Sequence, residues 1–468
     1  MNKIFILSVP QHWCNVPELS LSNLSISEQR QLISPPSDPS CSMFNVSYAR
    51  MVQEGRFEIP NDTEIIPCRA GWKYDTENYD ETVSSKFDLV CENNYFPSLI
   101  FTLSSVGSLV SATFYGYLSD KFGRKIVFLS SAGLIVVTEV ASALANDLTV
   151  FIALRILKGT VAPTLFTLPF VLVSELVSAN VRADINGIVN TSWTLGMCLL
   201  PLVAYLSRHW ANLCYITAGS GAFLMCYWRF IPESPSWLLS QDKFEEAKKI
   251  MIEIGEVNGN SENEKEMLLC LKEFRERILK EKEDNRSKSE SKSVIFRYPR
   301  LRKNFFVLAI CWLTFNVTYG GLTYNLINLY GNEFINFFLI CVAEFPGNFI
   351  FWYAMNNVGR RWTATFGFFL TGLFSLLPVI GFKHSDILSS MIGKFLITGC
   401  FMVSDQQGTE LFPTVLRTSA IAAAKSISSA LGLFVPFIAY LQLEKGAIVK
   451  HSIEPEENRH FTPKMKVG

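Results

Sequence analysis

The residue of this sequence that most clearly indicates chemistry is Glu344, a single acid inside the apolar run Phe338-Leu-Ile-Cys-Val-Ala-Glu-Phe-Pro-Gly. A carboxylate surrounded by hydrocarbon is costly, so such an acid normally faces a cavity or pairs with another charge. Pro346 follows two residues later, where it frees a backbone carbonyl and can bend a helix. The pattern predicts that Glu344 serves a functional cavity. The alternative is a buried acid that pairs with a neighbouring helix.

Aromatic rings and polar groups recur together in other apolar runs. Phe166 and Phe170 share one helix face, and Asn190 precedes Trp193 by one helical turn. A third group consists of Tyr319, Tyr324 and Asn325. Such mixtures suit an amphiphilic organic ion, because ring faces attract cations and polar groups supply hydrogen bonds. Helix packing is the alternative, above all for the two phenylalanines.

A charged turn at 116–125, Gly-Tyr-Leu-Ser-Asp-Lys-Phe-Gly-Arg-Lys, separates apolar runs at 95–117 and 126–146. Four charges in so tight a turn cannot lie in hydrocarbon, so the turn lies at a membrane surface. Gly116 and Gly123 allow close helix approach and a left-handed turn. The second half repeats the turn as Asn356-Asn-Val-Gly-Arg-Arg. The matching cores of the two turns are Gly123, Arg124 and Lys125 and Gly359, Arg360 and Arg361.

The composition places these motifs in a membrane protein. Of 468 residues 49% are apolar and 18% are charged, Phe occurs 37 times, and the formal net charge is zero. The mean hydropathy is +0.23. Apolar blocks of about 20 residues predict a polytopic membrane protein. We find no metal-ligand spacing, nucleophile elbow or nucleotide-binding loop, so we expect no enzyme, cofactor, metal or nucleic-acid partner.

The alternation of polar and apolar stretches divides the chain into six regions. We expect a short apolar remnant of a first helix, a polar cysteine-containing loop, a first transmembrane half, a polar linker, a second transmembrane half and a polar tail. Their boundaries are 1–10, 11–94, 95–231, 232–303, 304–441 and 442–468. Each transmembrane half holds five apolar segments, so the chain has ten complete spans and an amino-terminal stub.

The polar loop at 11–94 has the features of an extracellular element. It contains four cysteines, Cys14, Cys41, Cys68 and Cys91, and three glycosylation sequons, at Asn23, Asn45 and Asn61. Together these indicate an oxidising, glycosylating lumen. The basic short loops fall on the other face, as cytoplasmic loops do. Four cysteines permit three disulfide connectivities, and the sequence does not choose among them. The alternative is a cytosolic polar tail with chance sequons.

Several stretches together resemble one known family. The turn pattern Gly-x-Leu-x-Asp-x-x-Gly-Arg-[Lys/Arg] resembles the loop between the second and third helices of the major facilitator superfamily. Four further stretches are Pro232-Glu-Ser-Pro-Ser-Trp-Leu-Leu, Cys68-Arg-Ala-Gly-Trp-Lys-Tyr-Asp, Phe87-Asp-Leu-Val-Cys and Glu410-Leu-Phe-Pro-Thr-Val-Leu-Arg. From about residue 10 to 445 the chain closely resembles the organic cation/anion/carnitine transporter family (solute carrier family 22). The resemblance implies an all-α major facilitator superfamily fold with two pseudo-symmetric helical halves. Family members have twelve spans.

The resemblance also implies residue roles. In the family the charges of the turn pair with helix ends on the cytoplasmic side and stabilise the outward-open form. The gate candidates are Gly116, Asp120, Gly123, Arg124, Lys125, Arg155, Glu175, Arg182, Gly359, Arg360, Arg361, Glu410 and Arg417. The alternative is that these charges only set topology. In the second half Asn356 replaces the acid, so we expect an electrostatically weaker gate there.

Two positions bear on the charge of the substrate. In the family, cation carriers tend to have Asp and anion or carnitine carriers Arg at the position of Ser429. Lys425, one turn earlier, could supply positive charge instead, or it could extend to the surface. The sign of the substrate therefore stays open at this stage.

The leading hypothesis is a multi-pass plasma-membrane carrier of small organic ions that works by alternating access. Its halves would rock around a central site at Glu344, Phe170, Trp193 and Tyr319. The expected partners are the organic ion, the lipid bilayer and, through the extracellular loop, a second copy of the chain. One alternative is a truncated, non-transporting regulatory or binding protein, because two family helices are not recognised. The other alternative is a sugar-porter-like carrier. We expect an incomplete gene model or splice form to account for the missing helices.

Overall fold

A computed structural model gives the fold of the chain. It describes residues 2–435 except 23, 56, 58, 61–62, 178–180, 260–267, 270, 278–279, 281–297, 325–330, 378–384 and 413. The described part is predominantly helical, with four strands of three residues each. The predicted all-α class is confirmed, and the strands are confined to the amino-terminal domain, residues 11–94.

The amino-terminal domain is small and built from short elements. Its helices are α2 (Ile26–Ile33), α3 (Tyr48–Glu54) and α4 (Val83–Lys86), preceded by α1 (Lys3–Ile6), with 3-10 turns at Pro17–Leu21 and Cys91–Asn93. Its strands are β1 (His12–Cys14), β2 (Ser42–Phe44), β3 (Ile65–Pro67) and β4 (Trp72–Tyr74). β1 pairs antiparallel with β4 and β2 with β3. The buried core is Trp13, Cys14, Val16, Leu19, Ile33, Met43 and Tyr48.

Two disulfides close this domain. Cys14 bonds to Cys68 and Cys41 bonds to Cys91, so the two loops interleave along the chain. Of the three connectivities that the sequence permits, the structure has the crossed one. Cys14 is the last residue of β1 and Cys68 directly follows β3, so this bridge connects the two strand pairs, each of which is marginal on its own.

The long helices run through the ten predicted apolar segments. They are α5 (Phe96–Phe122), α6 (Arg124–Ala143), α7 (Leu148–Val161), α8 (Thr164–Leu176), α9 (Arg182–Ser207), α10 (Trp210–Cys226), α13 (Pro299–Tyr324), α14 (Glu333–Val342), α15 (Glu344–Asn357), α16 (Arg360–Phe374), α17 (Ser385–Leu411) and α18 (Thr414–Gly432). Between the halves lie the 3-10 turn Tyr227–Arg229 and the linker helices α11 (Pro235–Ser240) and α12 (Phe244–Val257).

Two of the spans are broken helices, and proline explains each break. α7 ends at Val161 and α8 begins at Thr164, directly after Pro163. α14 ends at Val342 and α15 begins at Glu344, and Pro346 has no N–H to donate to the carbonyl of Val342. The second break places Glu344 in the first turn of a helix, where the aligned peptide dipoles favour a carboxylate.

Within the described residues, six helical segments are long and apolar enough to cross a bilayer. They are Arg124–Ala143, Leu148–Leu176, Asp184–Ser207, Pro299–Thr323, Glu333–Asn357 and Ile387–Gly408. α5 is bent by 40°, and it is a seventh such segment if its two parts are counted together as one span. The other three predicted spans are shorter: α10 has 17 residues, α16 has 15 and α18 has 19. A straight helix of about 20 residues crosses the hydrocarbon core.

The two ends of the bundle are different. The domain end carries the amino-terminal domain, and the turn end carries the turns at Gly123 and Gly359. At the domain end the halves touch: the ring of Phe334 on α14 lies 5.4 Å from that of Phe5 and 5.5 Å from that of Tyr205 on α9. Ser8 donates a hydrogen bond of 3.1 Å to Glu333 beside them. The halves are therefore closed against each other at the domain end.

Candidate functional site

The centre of the candidate site is an ion pair between Glu344 and Lys394. Glu344 is 0% exposed and Lys394 is 1% exposed. Lys394 on α17 places its Nζ 3.4 Å from Glu344 Oε1. Thr194 on α9 donates a hydrogen bond of 3.3 Å to Glu344 Oε2, and Asn348 donates one of 3.2 Å to Thr194. The acid is thus held by groups from both halves of the protein.

One aromatic ring contacts the ammonium of this pair, and two more rings follow behind it. Lys394 Nζ lies 3.0 Å from the ring centroid of Tyr319 on α13, a cation–π contact. The indole of Trp193 donates to the Tyr319 hydroxyl at 3.5 Å, and Phe166 meets Trp193 edge-on at 5.6 Å between centroids. Four predicted residues, Phe166, Trp193, Tyr319 and Glu344, thus come together from α8, α9, α13 and α15. An amine can be held here by the carboxylate of Glu344 and the ring face of Tyr319.

The other predicted substrate residues lie around this centre or apart from it. Asn190 is buried on α9 and donates to the backbone carbonyl and side chain of Asn186; its own backbone carbonyl lies 3.1 Å from the Thr194 hydroxyl, whose one proton it shares with Glu344. Phe170 and Ser429 are half-buried on α8 and α18. Lys425 pairs with Asp405 at 2.7 Å and not with Glu344. Asn325 and the side chain of Tyr324 lie outside the described residues.

Sequence reasoning missed Lys394, which completes the central pair. Its sequence context, Met391-Ile-Gly-Lys-Phe-Leu-Ile, places one base in an apolar run. The rule that singled out Glu344, that a charge in hydrocarbon needs a partner, applies equally to this lysine. Thr194 and Asn348 gave no comparable signal, because small polar residues are common in membrane helices.

A groove of about 510 Å³, open at the protein surface, adjoins this centre on the side of the turn end. It is lined by Asp184, Gly187, Ile188, Thr191 and Ser192 of α9 and by Asn348, Phe349 and Trp352 of α15. Asn348 belongs both to this groove and to the hydrogen-bond chain that reaches Glu344 through Thr194. The groove lies between helices of the two halves, and it gives the central pair a neighbouring space for a small solute.

At the turn end, Arg124 is the hub of a charge network. Its guanidinium lies 3.1 Å from Asp120 and 3.4 Å from Glu175. The carboxylate of Glu233 accepts from the backbone N–H groups of Arg124 at 2.9 Å and Lys125 at 3.2 Å. Three predicted gate residues, Asp120, Arg124 and Glu175, are therefore in contact. Glu233, from the Pro-Glu-Ser-Pro stretch, is an additional member that was not among the predicted gate residues.

The two turns share a backbone conformation but not their surroundings. Gly123 has φ +101° and Gly359 has φ +96°, a region that disfavours side chains. A Cβ on Gly123 would run into the Glu233 carboxylate, whereas one on Gly359 would meet no atom within 4 Å. Arg361 is exposed. A Cβ on Gly116 would also meet nothing within 4 Å, so the close helix approach expected there is not found.

Arg155, predicted as a gate residue, lies away from this network. Its guanidinium is 3.3 Å from Glu139 on α6 and donates to Cys214 Sγ at 3.1 Å. Glu139 follows Arg124 by 15 residues in the same helix, which is about 22 Å along the axis. Lys158 pairs with the same carboxylate, and Asn2 donates to it at 2.8 Å. Arg155 therefore belongs to a buried ionic cluster nearer the domain end, and the sequence reasoning missed its partner Glu139.

The remaining predicted residues are peripheral or outside the described part. Asn45 is exposed and donates to Glu64 at 2.9 Å. Asn23 and Asn61 lie outside the described residues, as do the side chains of Arg182, Glu410 and Arg417. Among the described residues, one group is spaced for a metal ion: His12, Cys41 and Cys91. Its two sulfurs form a disulfide, so this group offers no thiolate ligand.

Comparison with known proteins identifies relatives over nearly the whole chain. Residues 96–436 match the family described as the Major Facilitator Superfamily. The chain is 29% identical over 454 residues to Organic cation transporter 1 of Caenorhabditis elegans, covering 95% of this chain and 75% of that protein. It is 28% identical to the Beta-alanine transporter of Drosophila melanogaster, covering 94% and 76%. It is 27% identical to Organic cation/carnitine transporter 2 of Homo sapiens, covering 94% and 80%.

Solved structures show the same fold at low identity. The proton:xylose symporter XylE bound to 6-bromo-6-deoxy-D-glucose matches with a TM-score of 0.58 at 16% identity, over 77% of this chain and 82% of that one. The human organic anion transporter MFSD10 matches with a TM-score of 0.54 at 16% identity, over 78% and 83%. These likenesses concern the fold alone. The hypothesis of a non-transporting protein gains no support, because the relatives named above are transporters.

Proposed function

The chain belongs to the major facilitator superfamily and groups with its organic cation and carnitine transporters, and we propose that its substrates are small organic ions that carry an amine or ammonium group. As a multi-pass membrane transporter of this superfamily it works by alternating access between its two halves. The observation that carries the proposal is the buried acid Glu344, paired with Lys394 beneath the ring of Tyr319.

The central pair favours a cationic substrate, because the ammonium of Lys394 occupies the position beside Glu344 that a substrate ammonium can take. A buried carboxylate without a counter-charge is strongly unfavourable, so Lys394 neutralises Glu344 while the site is empty. A substrate ammonium can take the place of Lys394 beside Glu344 and against the ring faces of Tyr319 and Trp193. The displaced Lys394 can then meet a carboxylate on the same substrate, so zwitterions fit as well as simple cations. A substrate with only negative charge would leave Glu344 facing repulsion.

The two ends of the bundle supply the gates of the proposed cycle. Phe334, Phe5 and Tyr205 keep the halves together at the domain end, while the groove beside Asn348 lies toward the turn end. We propose that the Arg124 network, with Asp120, Glu175 and Glu233, which is formed here within the amino-terminal half, is the surface against which the carboxyl-terminal half closes at the turn end in the opposite state. Closure of the turn end, with separation of the Phe334 contacts at the domain end, exposes Glu344 to the two sides in turn.

The orientation follows from the chemistry of the amino-terminal domain. Disulfides persist in oxidising compartments, so the domain end faces outward and the turn end faces the cytoplasm. We therefore place the carrier in the plasma membrane, with the exposed Asn45 as a glycosylation site. The same outward domain is the surface through which two copies of the chain can associate. The bilayer surrounds the ten helical spans.

The proposal is tested by uptake into cells expressing the full chain. Three labelled probes are compared: tetraethylammonium, β-alanine and para-aminohippurate, which carry a positive charge, both charges and a negative charge. We expect uptake of at least one of the two probes that carry a positive charge, tetraethylammonium or β-alanine, and its loss in Glu344→Gln, at equal amounts of protein on the surface. Glu245→Gln, an exposed acid on α12, is the matched control. Uptake of para-aminohippurate alone, or uptake of tetraethylammonium or β-alanine that Glu344→Gln leaves unchanged, contradicts the proposal.

A further inference from the structure

A second acid–base pair lies in the carboxyl-terminal half, apart from Glu344. Lys425 Nζ on α18 is 2.7 Å from Asp405 Oδ1 on α17, with side-chain exposures of 39% and 15%. The same ammonium lies 4.9 Å from the ring centroid of Trp312 and 5.9 Å from that of Phe401. This pair therefore repeats the composition of the central site: one acid, one base and aromatic faces around the base.

A row of aromatic rings joins the two pairs. Tyr319, under Lys394, lies 5.1 Å from Phe315 between ring centroids, and Phe315 lies 4.4 Å from Phe401. Phe401 in turn faces Lys425. Trp312, Phe315 and Tyr319 lie at i, i+3 and i+7, on one face of α13. Trp312 precedes Tyr319 by about 10 Å along the helix, toward the turn end.

The accessibility of the second pair distinguishes it from the first. Lys394 is 1% exposed, whereas the side chain of Lys425 is 39% exposed and ends a long, flexible stem. Lys425 can therefore move away from Asp405 without opening the protein core. Asp405 and the buried face of Trp312 stay in place when it does. The indole N–H of Trp312 also finds no acceptor among the described residues, which leaves one directed donor at this position.

We propose that Asp405, with Trp312 and Phe401, is a second station for the transported cation, between the central site and the cytoplasm. This inference rests on the proposed function and extends it. Lys425 occupies the station when it is empty and leaves Asp405 when a substrate ammonium arrives. One positive charge replaces another, so the net charge of the site stays the same at each step. The ring row from Tyr319 through Phe315 to Phe401 supplies π-faces for an ammonium that moves between the stations.

The test is equilibrium binding of radiolabelled tetraethylammonium to the purified full chain in lipid nanodiscs. Glu344→Gln removes the central acid and isolates the second station. In that background we expect weaker but measurable binding. Adding Asp405→Asn weakens it further by at least about tenfold, because the quaternary ammonium loses the Coulomb attraction of one nearby carboxylate. Adding Lys425→Gln tightens it, because the resident ammonium no longer competes. The exchanged pair, D405K/K425D, keeps an ion pair and serves as the folding control.

A purely structural ion pair gives a different pattern. In that case Asp405→Asn and Lys425→Gln both lower the melting temperature and shift binding in the same direction, or not at all. The second station is contradicted if Asp405→Asn and Lys425→Gln change tetraethylammonium binding in the same direction or not at all. It is also contradicted if Glu344→Gln shows no residual binding. If Glu344→Gln does not fold, the two substitutions are made singly in the wild-type chain. We then expect Lys425→Gln to tighten tetraethylammonium binding and Asp405→Asn to weaken it. Uptake by the wild-type chain is measured separately: Asp405-dependent binding without uptake contradicts the proposed function and leaves the station standing.

Discussion

The ammonium of Lys394 lies 3.4 Å from a carboxylate oxygen of Glu344 and 3.0 Å from the ring centroid of Tyr319. These three residues come from three helices, α17, α15 and α13, all in the carboxyl-terminal half. The amino-terminal half contributes the hydrogen bond from Thr194 to the same carboxylate. The central pair therefore belongs to one half and is hydrogen-bonded by the other. This arrangement suits a site that both halves share during transport.

The first prediction separates the structural role of the central pair from its transport role. Glu344→Ala leaves Lys394 buried without a counter-charge, and loss of one partner of a buried pair costs about 3–5 kcal/mol. The double variant E344Q/K394Q removes both charges while keeping the shapes, so we expect its melting temperature to return close to wild type. Amine uptake stays absent in both. A double variant that transports as well as wild type contradicts a substrate role for the pair.

The second prediction compares the two turns. Gly123→Ala places a methyl group against the Glu233 carboxylate and 3.2 Å from a ring carbon of Trp237, whereas Gly359→Ala meets open space. Both variants carry the strain of a positive φ. We expect Gly123→Ala to lose a further 1–3 kcal/mol, roughly the cost of overpacking. The measurement is the melting temperature in detergent, with Gly116→Ala, inside α5, as an unstrained control. Equal losses at the two turns contradict this account.

The third prediction concerns the buried cluster of Glu139, Arg155 and Lys158. Glu139→Gln leaves two cations without their carboxylate, whereas Lys158→Gln leaves the Glu139–Arg155 pair in place. We expect Glu139→Gln to destabilise the protein by about 3–5 kcal/mol and Lys158→Gln by clearly less. Yield of monodisperse protein and melting temperature are the readouts. A larger loss for Lys158→Gln would show that Arg155 does not depend on Glu139.

The fourth prediction is a pH dependence of the amino-terminal domain. Burial lowers the pKa of His12 below its ordinary value of 6.5; the carbonyl of Pro10 and the charge of Asp38 oppose the shift, and Arg30 adds to it. The unfolded domain therefore binds more protons than the folded one as the pH falls below about 6.5, so the stability from this group is present above that pH and is lost on acidification.

The rate at which a phosphine reductant opens the disulfides measures this effect. We expect the ratio of the reduction rate at pH 5.5 to that at pH 7.5 to be larger in wild type than in His12→Asn, because asparagine has no titrating ring. Comparing the variants at each pH cancels the intrinsic pH dependence of the reductant. Identical pH ratios in the two proteins exclude His12 as the group responsible.

The sequence predicted those parts of the fold that depend on local pattern. The apolar runs located the helices, Pro346 marked one of the two broken spans, and the turn at Asp120 and Arg124 marked one end of the bundle; the break at Pro163 was not predicted. Each of these signals lies within a few residues of chain. Glu344 was found in the same way, because one acid in an apolar run is conspicuous by itself.

Partners distant in sequence were not predicted. Arg155 was predicted to be a gate residue, but its carboxylate partner is Glu139, on the neighbouring helix α6. The lysine for Glu344 lies 50 residues later, on a helix whose rotation about its axis the sequence does not fix. The choice among three disulfide connectivities likewise depends on which strands pair, a long-range property.

The interleaved disulfides impose an order on how the protein is made. Cys41 lies inside the loop that Cys14 and Cys68 close, and its partner Cys91 lies beyond that loop, five residues before α5 begins. The ribosome must therefore deliver residue 91 to the lumen before the outer domain can be finished, just as the first long helix reaches the translocation channel. Oxidation of the domain and insertion of the helices are thus neighbouring events in biosynthesis.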